Sequence, residues 1–238
     1  MPAERFYLNE SFFENQKAIL KEEEFHHLSH VMRLKAGEEV ELINGNGSLA
    51  FATISSLEKH KAILSIQKVH LEIKPPYQLI LAQALPRLPR LEYILEKTVE
   101  LGVTALWLFP GELSEKKELS SSQHQRVHHV IISALKQCGR LFAPELLFLP
   151  PLLSWDPSSL PPHSFFGDTR PTAPFFSTLL QSEKPSSLLI AIGPEKGFQE
   201  KETLWMEKHL KGVKLHDNIL RTDTAAISAV STSFNSLN

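Results

Sequence analysis

The stretch AIGPEKGFQEKE, residues 191–202, joins an apolar run to a run of helix-forming residues. Gly193, Pro194, Glu195 and Gly197 stand within five positions of one another, where a strand passes into a helix. In α/β proteins, ligands bind outside the carboxyl ends of strands at such junctions. Glycines let the backbone approach a ligand closely, and the first N–H groups of a helix are free to donate. The stretch therefore predicts an α/β fold with a ligand-binding turn, although an ordinary strand–helix turn has the same composition.

The rest of the chain from residue 77 onward alternates strand and helix patterns. Apolar runs typical of buried strands are YQLILAQAL, VTALWLFP, SFFGD, SLLIAIG and GVKL. Between them, apolar residues from Val127 to Cys138 recur at helical spacing, a further helix begins near Phe198, and Thr222 is a good N-cap for the last helix. This alternation predicts a parallel sheet with helical crossovers.

Residues 1–73 have a different pattern, with short runs in which apolar and polar residues alternate. The sequence Asn-Gly-Asn-Gly at 44–47 indicates a hairpin, and the segment before it predicts one short helix that ends near Gly37. A small β-barrel is the expected closure. The two prolines of IKPPY, residues 73–77, indicate a linker. The predicted domains are therefore 1–73 and 77–238.

Composition narrows the class of protein. The 238 residues are 42% hydrophobic and 22% charged, as in soluble globular proteins, and no apolar run approaches the roughly 18 residues of a membrane span. The first residues lack the apolar core of a signal peptide, and Cys138 is the single cysteine, so we expect a cytoplasmic protein without disulfides. The net charge of −2 counts against an RNA partner without excluding one. Of His26, His27 and His30, only His26 and His30 would share a helical face. No third metal ligand accompanies that pair in the sequence, so no metal is predicted.

Two further loops resemble the first in position. HDNILRTDTAA, residues 216–226, enters the last helix, and FGDTRP, residues 166–171, follows a short apolar strand. All three loops follow the carboxyl ends of predicted strands, which indicates one shared site. Basic residues also crowd the middle of the chain, where they form either solvated faces or a phosphate-binding surface.

Five motifs in order give the chain a family resemblance. They are HHLSHVMRLKAGEEVEL, RLEYILEKTVELGVTALWLFP, ALKQCGRLFAPEL, IGPEKGF and NILRTDTA. Together the motifs resemble the bacterial 16S ribosomal RNA uridine N3-methyltransferases of the SPOUT class. The resemblance implies a PUA-like RNA-binding β-barrel domain, then a SPOUT-type α/β domain with a deep trefoil knot. It also implies a homodimer, S-adenosylmethionine as methyl donor, and a uridine in 16S ribosomal RNA of the small subunit as substrate.

The same resemblance assigns site residues. Those implied to bind the cofactor are Gly167, Asp168, Ile192, Gly193, Pro194, Glu195, Gly197, Leu215, Ile219, Leu220 and Thr222. The resemblance also implies that Arg33 contacts RNA and that Gln137 faces the site from its helix, while Arg87 and Arg90, two of the basic residues in the middle of the chain, are predicted to contact RNA.

The chemistry requires a base for the uracil N3 proton and a group that stabilises the resulting anion. Glu195 or Asp223 is the candidate base, and Arg140 or Arg221 the candidate stabiliser. The family turn usually reads G-P-E-G-G, whereas this chain has Lys196 at the fourth place. If that position requires a positive φ, lysine costs on the order of 1 kcal/mol.

Two alternatives from other classes remain at this point. The first is an RNA-binding protein that has kept the fold and lost turnover, which Lys196 makes conceivable. The second is an α/β enzyme acting on a small nucleotide, which would depend neither on residues 1–73 nor on salt-sensitive RNA binding.

Overall fold

The computed structural model of the chain describes residues 4–182 and 185–237, apart from the side chain of Ser182. Two compact units make up the chain. One consists of Met1–Lys74 and Ile132–Ala143, and the other of Pro75–Ile131 and Pro144–Asn238. The sequence pattern did not indicate that Ile132–Ala143 groups with the first unit. Among the described residues, no helix has the length and apolar character that crossing a membrane requires.

The first unit is built on a five-stranded sheet in the order β1-β3-β4-β5-β2. Its strands are β1 (Arg5–Tyr7), β2 (Lys17–Lys21), β3 (Glu39–Ile43), β4 (Ser48–Leu57) and β5 (Lys61–Leu71). The predicted hairpin lies between β3 and β4, where the side chain of Asn44 accepts the N–H groups of Asn46 and Ser48 at 2.9 and 3.1 Å. Buried alternate residues of the strands, such as Leu42, Ile54 and Leu64, form the core.

The predicted helix before this hairpin is shorter than expected. Helix α1 (Glu22–His26) continues into one π-helical turn, His27–Val31, and ends well before Gly37. The reason is the backbone of Arg33, whose φ of +56° lies in the left-handed region and interrupts a right-handed helix.

The second unit is built on a six-stranded sheet in the order β11-β9-β10-β6-β7-β8. Its strands are β6 (Gln78–Ala84), β7 (Ala105–Phe109), β8 (Glu145–Phe148), β9 (His163–Gly167), β10 (Ser187–Ile192) and β11 (Lys211–Val213). All neighbouring pairs are parallel, which confirms the predicted parallel sheet. The sequence analysis missed β8, a four-residue strand with no fully buried residue.

Helices follow the strands of this sheet along the chain. They are α2 (Leu88–Glu100), α3 (Ser121–Cys138), α4 (Phe176–Ser182), α5 (Glu200–His209) and α6 (Thr222–Leu237), with 3₁₀ turns at Leu152–Ser154 and Pro157–Ser159. Helix α3 runs through the division between the units at Ile131. Helix α6 packs against α2, α4, β6 and β10. Because parallel strands end at the same edge of a sheet, the loops after β9, β10 and β11 lie side by side.

Candidate functional site

A cavity of about 700 Å³ opens at the carboxyl ends of β9, β10 and β11. Three loops form most of its wall, and we call them loop A (residues 167–170), loop B (residues 192–198) and loop C (residues 215–222). The wall lies entirely in the second unit. The three loops that the sequence singled out therefore meet at one place.

The structure brings all eleven sequence-predicted cofactor residues into this wall. They are Gly167, Asp168, Ile192, Gly193, Pro194, Glu195, Gly197, Leu215, Ile219, Leu220 and Thr222. Of the predicted catalytic residues, Glu195 and Arg221 also line the cavity.

Loop B owes its shape to its two glycines. The N–H of Gly197 donates to the carbonyl of Pro194 at 2.9 Å, and Gly197 has a φ of +74°. A Cβ atom on Gly193 would lie 3.3 Å from the backbone of Gly197, so the two ends of the turn approach closely only because Gly193 lacks one. Lys196 is not among the residues with positive φ. The strain expected if position 196 needed a positive φ therefore does not arise.

A buried glutamine, Gln83, ties loop B to the start of α6. Its Nε2 lies 3.4 and 3.3 Å from the carbonyl oxygens of Ile192 and Gly193, and 3.2 Å from the hydroxyl oxygen of Thr222. Thr222 in turn donates its hydroxyl to the Gly193 carbonyl at 2.6 Å. Thr222 is thus the first helical residue and an anchor for loop B, and its prediction as the N-cap was wrong.

Sequence reasoning missed Gln83, although a signal was present. It is one of two glutamines in β6, whose sequence QLILAQA is otherwise apolar, and its side chain is completely buried. A buried amide in an apolar strand needs partners, and here they are the carbonyl of Ala84 at 2.8 Å and, at longer distances, three groups on residues that line the cavity.

Arg90 binds both candidate bases. Its Nη1 lies 2.6 Å from Oδ2 of Asp223, and its Nε lies 3.5 Å from Oε1 of Glu195. The backbone N–H of Arg87 donates to the same Glu195 oxygen at 3.0 Å. Asp223 does not line the cavity, but Arg90, to which it is bound, does. The guanidinium that was predicted to contact RNA is therefore held by two carboxylates.

The Arg87 side chain is also paired. Its guanidinium donates two hydrogen bonds to Glu115, one of them 2.9 Å long. These hydrogen bonds raise the pKa of Arg87 and lower the pKa of Glu115. Arg87 is absent from the cavity wall.

Loop A carries a second carboxylate cluster. The guanidinium of Arg170 lies 2.6 Å from Asp168 and also binds Glu207 on α5. Burial raises the pKa of the Asp168 carboxyl, but the hydrogen bonds and charge of Arg170 outweigh this, so the pKa lies below its usual value. Asp168 is thus held as an anion at the cavity wall.

Three other predicted residues lie outside this cavity. Arg33, Gln137 and Arg140 belong to the first unit and are not in the wall. Their roles toward RNA or substrate stay predictions. Among the described residues, no group of three or more histidine, cysteine, aspartate or glutamate side chains can hold a metal ion.

The geometry specifies what the cavity can bind. Arg90 and Arg170 each face two carboxylates, and one carboxylate of each pair, Glu195 and Asp168, belongs to the wall. Lys196 and Arg221 add basic groups to the same wall. Loop C supplies apolar side chains, among them the 82% exposed Ile219. Such a site suits a ligand that combines a flat apolar ring with charged groups of both signs.

Two family models match the chain. The model described as an RNA methyltransferase domain matches residues 74–233, and the model described as an RNA methyltransferase PUA domain matches residues 20–67. The mixed α/β fold therefore carries a PUA-like N-terminal domain, as predicted.

Relatives are found among curated proteins and solved structures. Ribosomal RNA small subunit methyltransferase E of Buchnera aphidicola is 26% identical, over 95% of this chain and 93% of that protein. A Legionella pneumophila structure with bound S-adenosylmethionine has a TM-score of 0.88 and 26% identity, and covers 97% of this chain and 96% of its own. A ribosomal RNA small subunit methyltransferase E of Neisseria gonorrhoeae, bound to S-adenosyl methionine, has a TM-score of 0.82 and 28% identity, and covers 96% and 95%.

Proposed function

The chain belongs to the RNA methyltransferase family, and on that premise we propose that it transfers a methyl group from S-adenosylmethionine to N3 of a uridine in 16S ribosomal RNA. The cavity of loops A, B and C supports this proposal most strongly, because the sequence-predicted cofactor residues all converge there. Relatives named as small-subunit ribosomal RNA methyltransferases support the choice of RNA.

The cavity fits S-adenosylmethionine by charge and by shape. The wall carboxylates of Asp168 and Glu195 suit the positive sulfonium and ammonium groups of that molecule, and the basic wall residues suit its carboxylate. Backbone close to Gly193 is accessible, and the apolar side chains of loop C suit the adenine ring. When bound, the cofactor supplies an already activated methyl group.

The side chains of this chain then have two tasks. One is to take the N3 proton of uracil, and Glu195 and Asp223 remain the two candidates. Both carboxylates are oriented by Arg90, so either would be held in a fixed direction. The other task is to stabilise charge on the uracil oxygens, for which Arg221 at the cavity wall is favoured over Arg140. Orientation of the reactants supplies much of the acceleration.

We also propose the finer architecture that the family resemblance implies. Residues 1–73 would serve RNA binding, residues 77–238 would form a SPOUT domain with a deep trefoil knot, and the cytoplasmic protein would act as a homodimer.

The test of the proposed function is a labelling experiment. The purified chain is incubated with methyl-labelled S-adenosylmethionine and undermethylated small ribosomal subunits, and the RNA is digested to nucleosides. We expect label in N3-methyluridine at a single site. Cofactor binding without any label would contradict the activity and favour the RNA-binding protein without turnover.

The same assay decides between the two bases. We expect either Glu195→Gln or Asp223→Asn to lower kcat by about 10²- to 10⁴-fold, the usual contribution of a general base. Lys208→Ala, an exposed position on α5 outside the cavity wall, is the control. If both variants keep the native rate, neither carboxylate is the base.

A further inference from the structure

We propose that Lys196 binds a phosphate group of the RNA substrate at the edge of the cavity. This inference rests on the proposed function and goes beyond it, because it names a substrate contact on loop B. In the family turn that position is usually glycine, so the contact would be a property of this chain.

The cations of the cavity wall differ in their partners. Arg90 is bound by Glu195 and Asp223, and Arg170 by Asp168 and Glu207. Arg221 and Lys196 are also part of the wall, are solvent-exposed and, within the described residues, form no ion pair. Arg221 is already the candidate that stabilises the uracil anion, which leaves Lys196 for a second anionic group. Its charge is therefore available to an incoming anion.

The nearest carboxylate does not remove that availability. Glu115 is close enough for the charge of Lys196 to lower its pKa, but the hydrogen bonds of Glu115 go to Arg87. Because Arg87 takes the hydrogen bonds of Glu115, the ammonium group of Lys196 keeps its own donors for an incoming anion.

The backbone places the lysine side chain without strain. Positive φ falls on Gly197 and not on position 196, so a side chain is accommodated there. Pro194 and Gly197 close the turn by the hydrogen bond already described, and this fixes the position from which Lys196 projects.

Charge also separates the RNA from the methyl donor as the ligand of Lys196. Lys196 repels the two cationic centres of the methyl donor and could attract only its single carboxylate. RNA instead brings one negative charge per nucleotide, and each phosphate neutralised by a lysine releases a counterion. The exposed and unpaired Lys196 therefore suits the RNA backbone next to the target base.

The test measures binding of undermethylated small ribosomal subunits over a range of salt concentrations. We expect Lys196→Ala to raise Kd about five- to eight-fold at 0.1 M salt and to reduce the log–log salt slope by about 0.7 to 0.9, the value of one phosphate contact. Lys196→Arg should keep the native Kd within about two-fold, and Lys196→Glu should weaken binding more than alanine does. Lys208→Ala, which removes the same charge from exposed α5, should leave Kd and slope unchanged.

A second titration with S-adenosylmethionine alone separates the outcomes. An unchanged salt slope in Lys196→Ala, or a loss confined to S-adenosylmethionine affinity, overturns the assignment. Equal losses in Lys196→Ala and Lys208→Ala also overturn it, because they show a general charge effect. Native chain that binds subunits through Lys196 but transfers no methyl group overturns the proposed function and leaves this inference standing.

Discussion

Gln83 is the residue on which two walls of the cavity depend. Its amide nitrogen faces the carbonyl oxygens of Ile192 and Gly193 and the hydroxyl of Thr222, and its side chain has no solvent exposure. Within the described chain its Oε1 atom has no hydrogen-bond partner. One buried amide group therefore contacts both loop B and the first residue of α6.

A carboxylate in place of the Gln83 amide should destabilise the fold. Gln83→Glu replaces the donor by an acceptor that faces other acceptors, and we expect it to lower the free energy of unfolding by about 2–3 kcal/mol. Gln83→Leu removes the unpaired oxygen together with the donor, so it should destabilise less while still weakening S-adenosylmethionine binding. Urea unfolding and a cofactor titration of both variants measure this. Equal stability of the two variants would show that an acceptor facing acceptors adds no cost, and native stability in both would show that the amide donor is unimportant.

Asp168 gives the molecule a pH dependence of defined sign. Because Arg170 lowers its pKa in the folded state, the carboxylate contributes stability above its unfolded pKa of about 3.9. That contribution is lost as the pH falls through the lower folded value. The stability difference between the native chain and Asp168→Asn should therefore be constant from pH 7 to 5 and shrink below about pH 4. Urea unfolding at pH 7, 5 and 3 tests this, and a difference that persists unchanged at pH 3 contradicts it.

At the scale of elements, the contact of α2 with α6 matters because α2 carries Arg90 and α6 carries Asp223. Gly102, which follows α2, has a φ of +93°, and a Cβ atom there would lie 2.6 Å from the ring of Phe234 on α6. Gly102 thus adopts the left-handed backbone conformation that ends α2, and its lack of a Cβ atom lets α6 pack closely against it.

Gly102→Ala should therefore cost more than backbone strain alone. We expect a loss of about 2–4 kcal/mol, the sum of left-handed strain and overpacking. Gly37→Ala is the matched control, because Gly37 has a φ of +92° with no atom near its Cβ position, and it should cost about 1–2 kcal/mol. Thermal unfolding of both variants compares them. Equal losses would mean that Phe234 moves aside without cost.

Elements of the second unit were predictable where a local pattern decides the structure. The parallel strands are apolar runs flanked by turn residues, and all the loops of the cavity follow them. Side-chain partners were not predictable, because the ion pair of Arg90 with Asp223 joins residues 133 positions apart. For the same reason Thr222 was read as a cap, although its hydroxyl binds Gly193 on another loop.

At the scale of the whole molecule, cofactor binding should stabilise the fold. A ligand that binds only the folded state at 100 times its Kd adds about 2.7 kcal/mol, which for a chain of this size raises Tm by about 5–10 °C. We expect this shift with S-adenosylmethionine in thermal unfolding. ATP shares the adenosine but lacks the cationic sulfonium and ammonium groups that the wall carboxylates of Asp168 and Glu195 suit, so it should give a much smaller shift. A shift with ATP alone would favour an enzyme acting on a small nucleotide.

The wide spacing of loops A, B and C along the chain has a consequence for biosynthesis. The cavity wall draws on residues from Arg90 to Ala225, and Thr222 must be present before the Gly193 carbonyl has its hydroxyl partner. A nascent chain still short of Thr222 has the strands of the sheet but no complete pocket. The protein therefore acquires its complete binding site only after loop C has been synthesised and has left the ribosome.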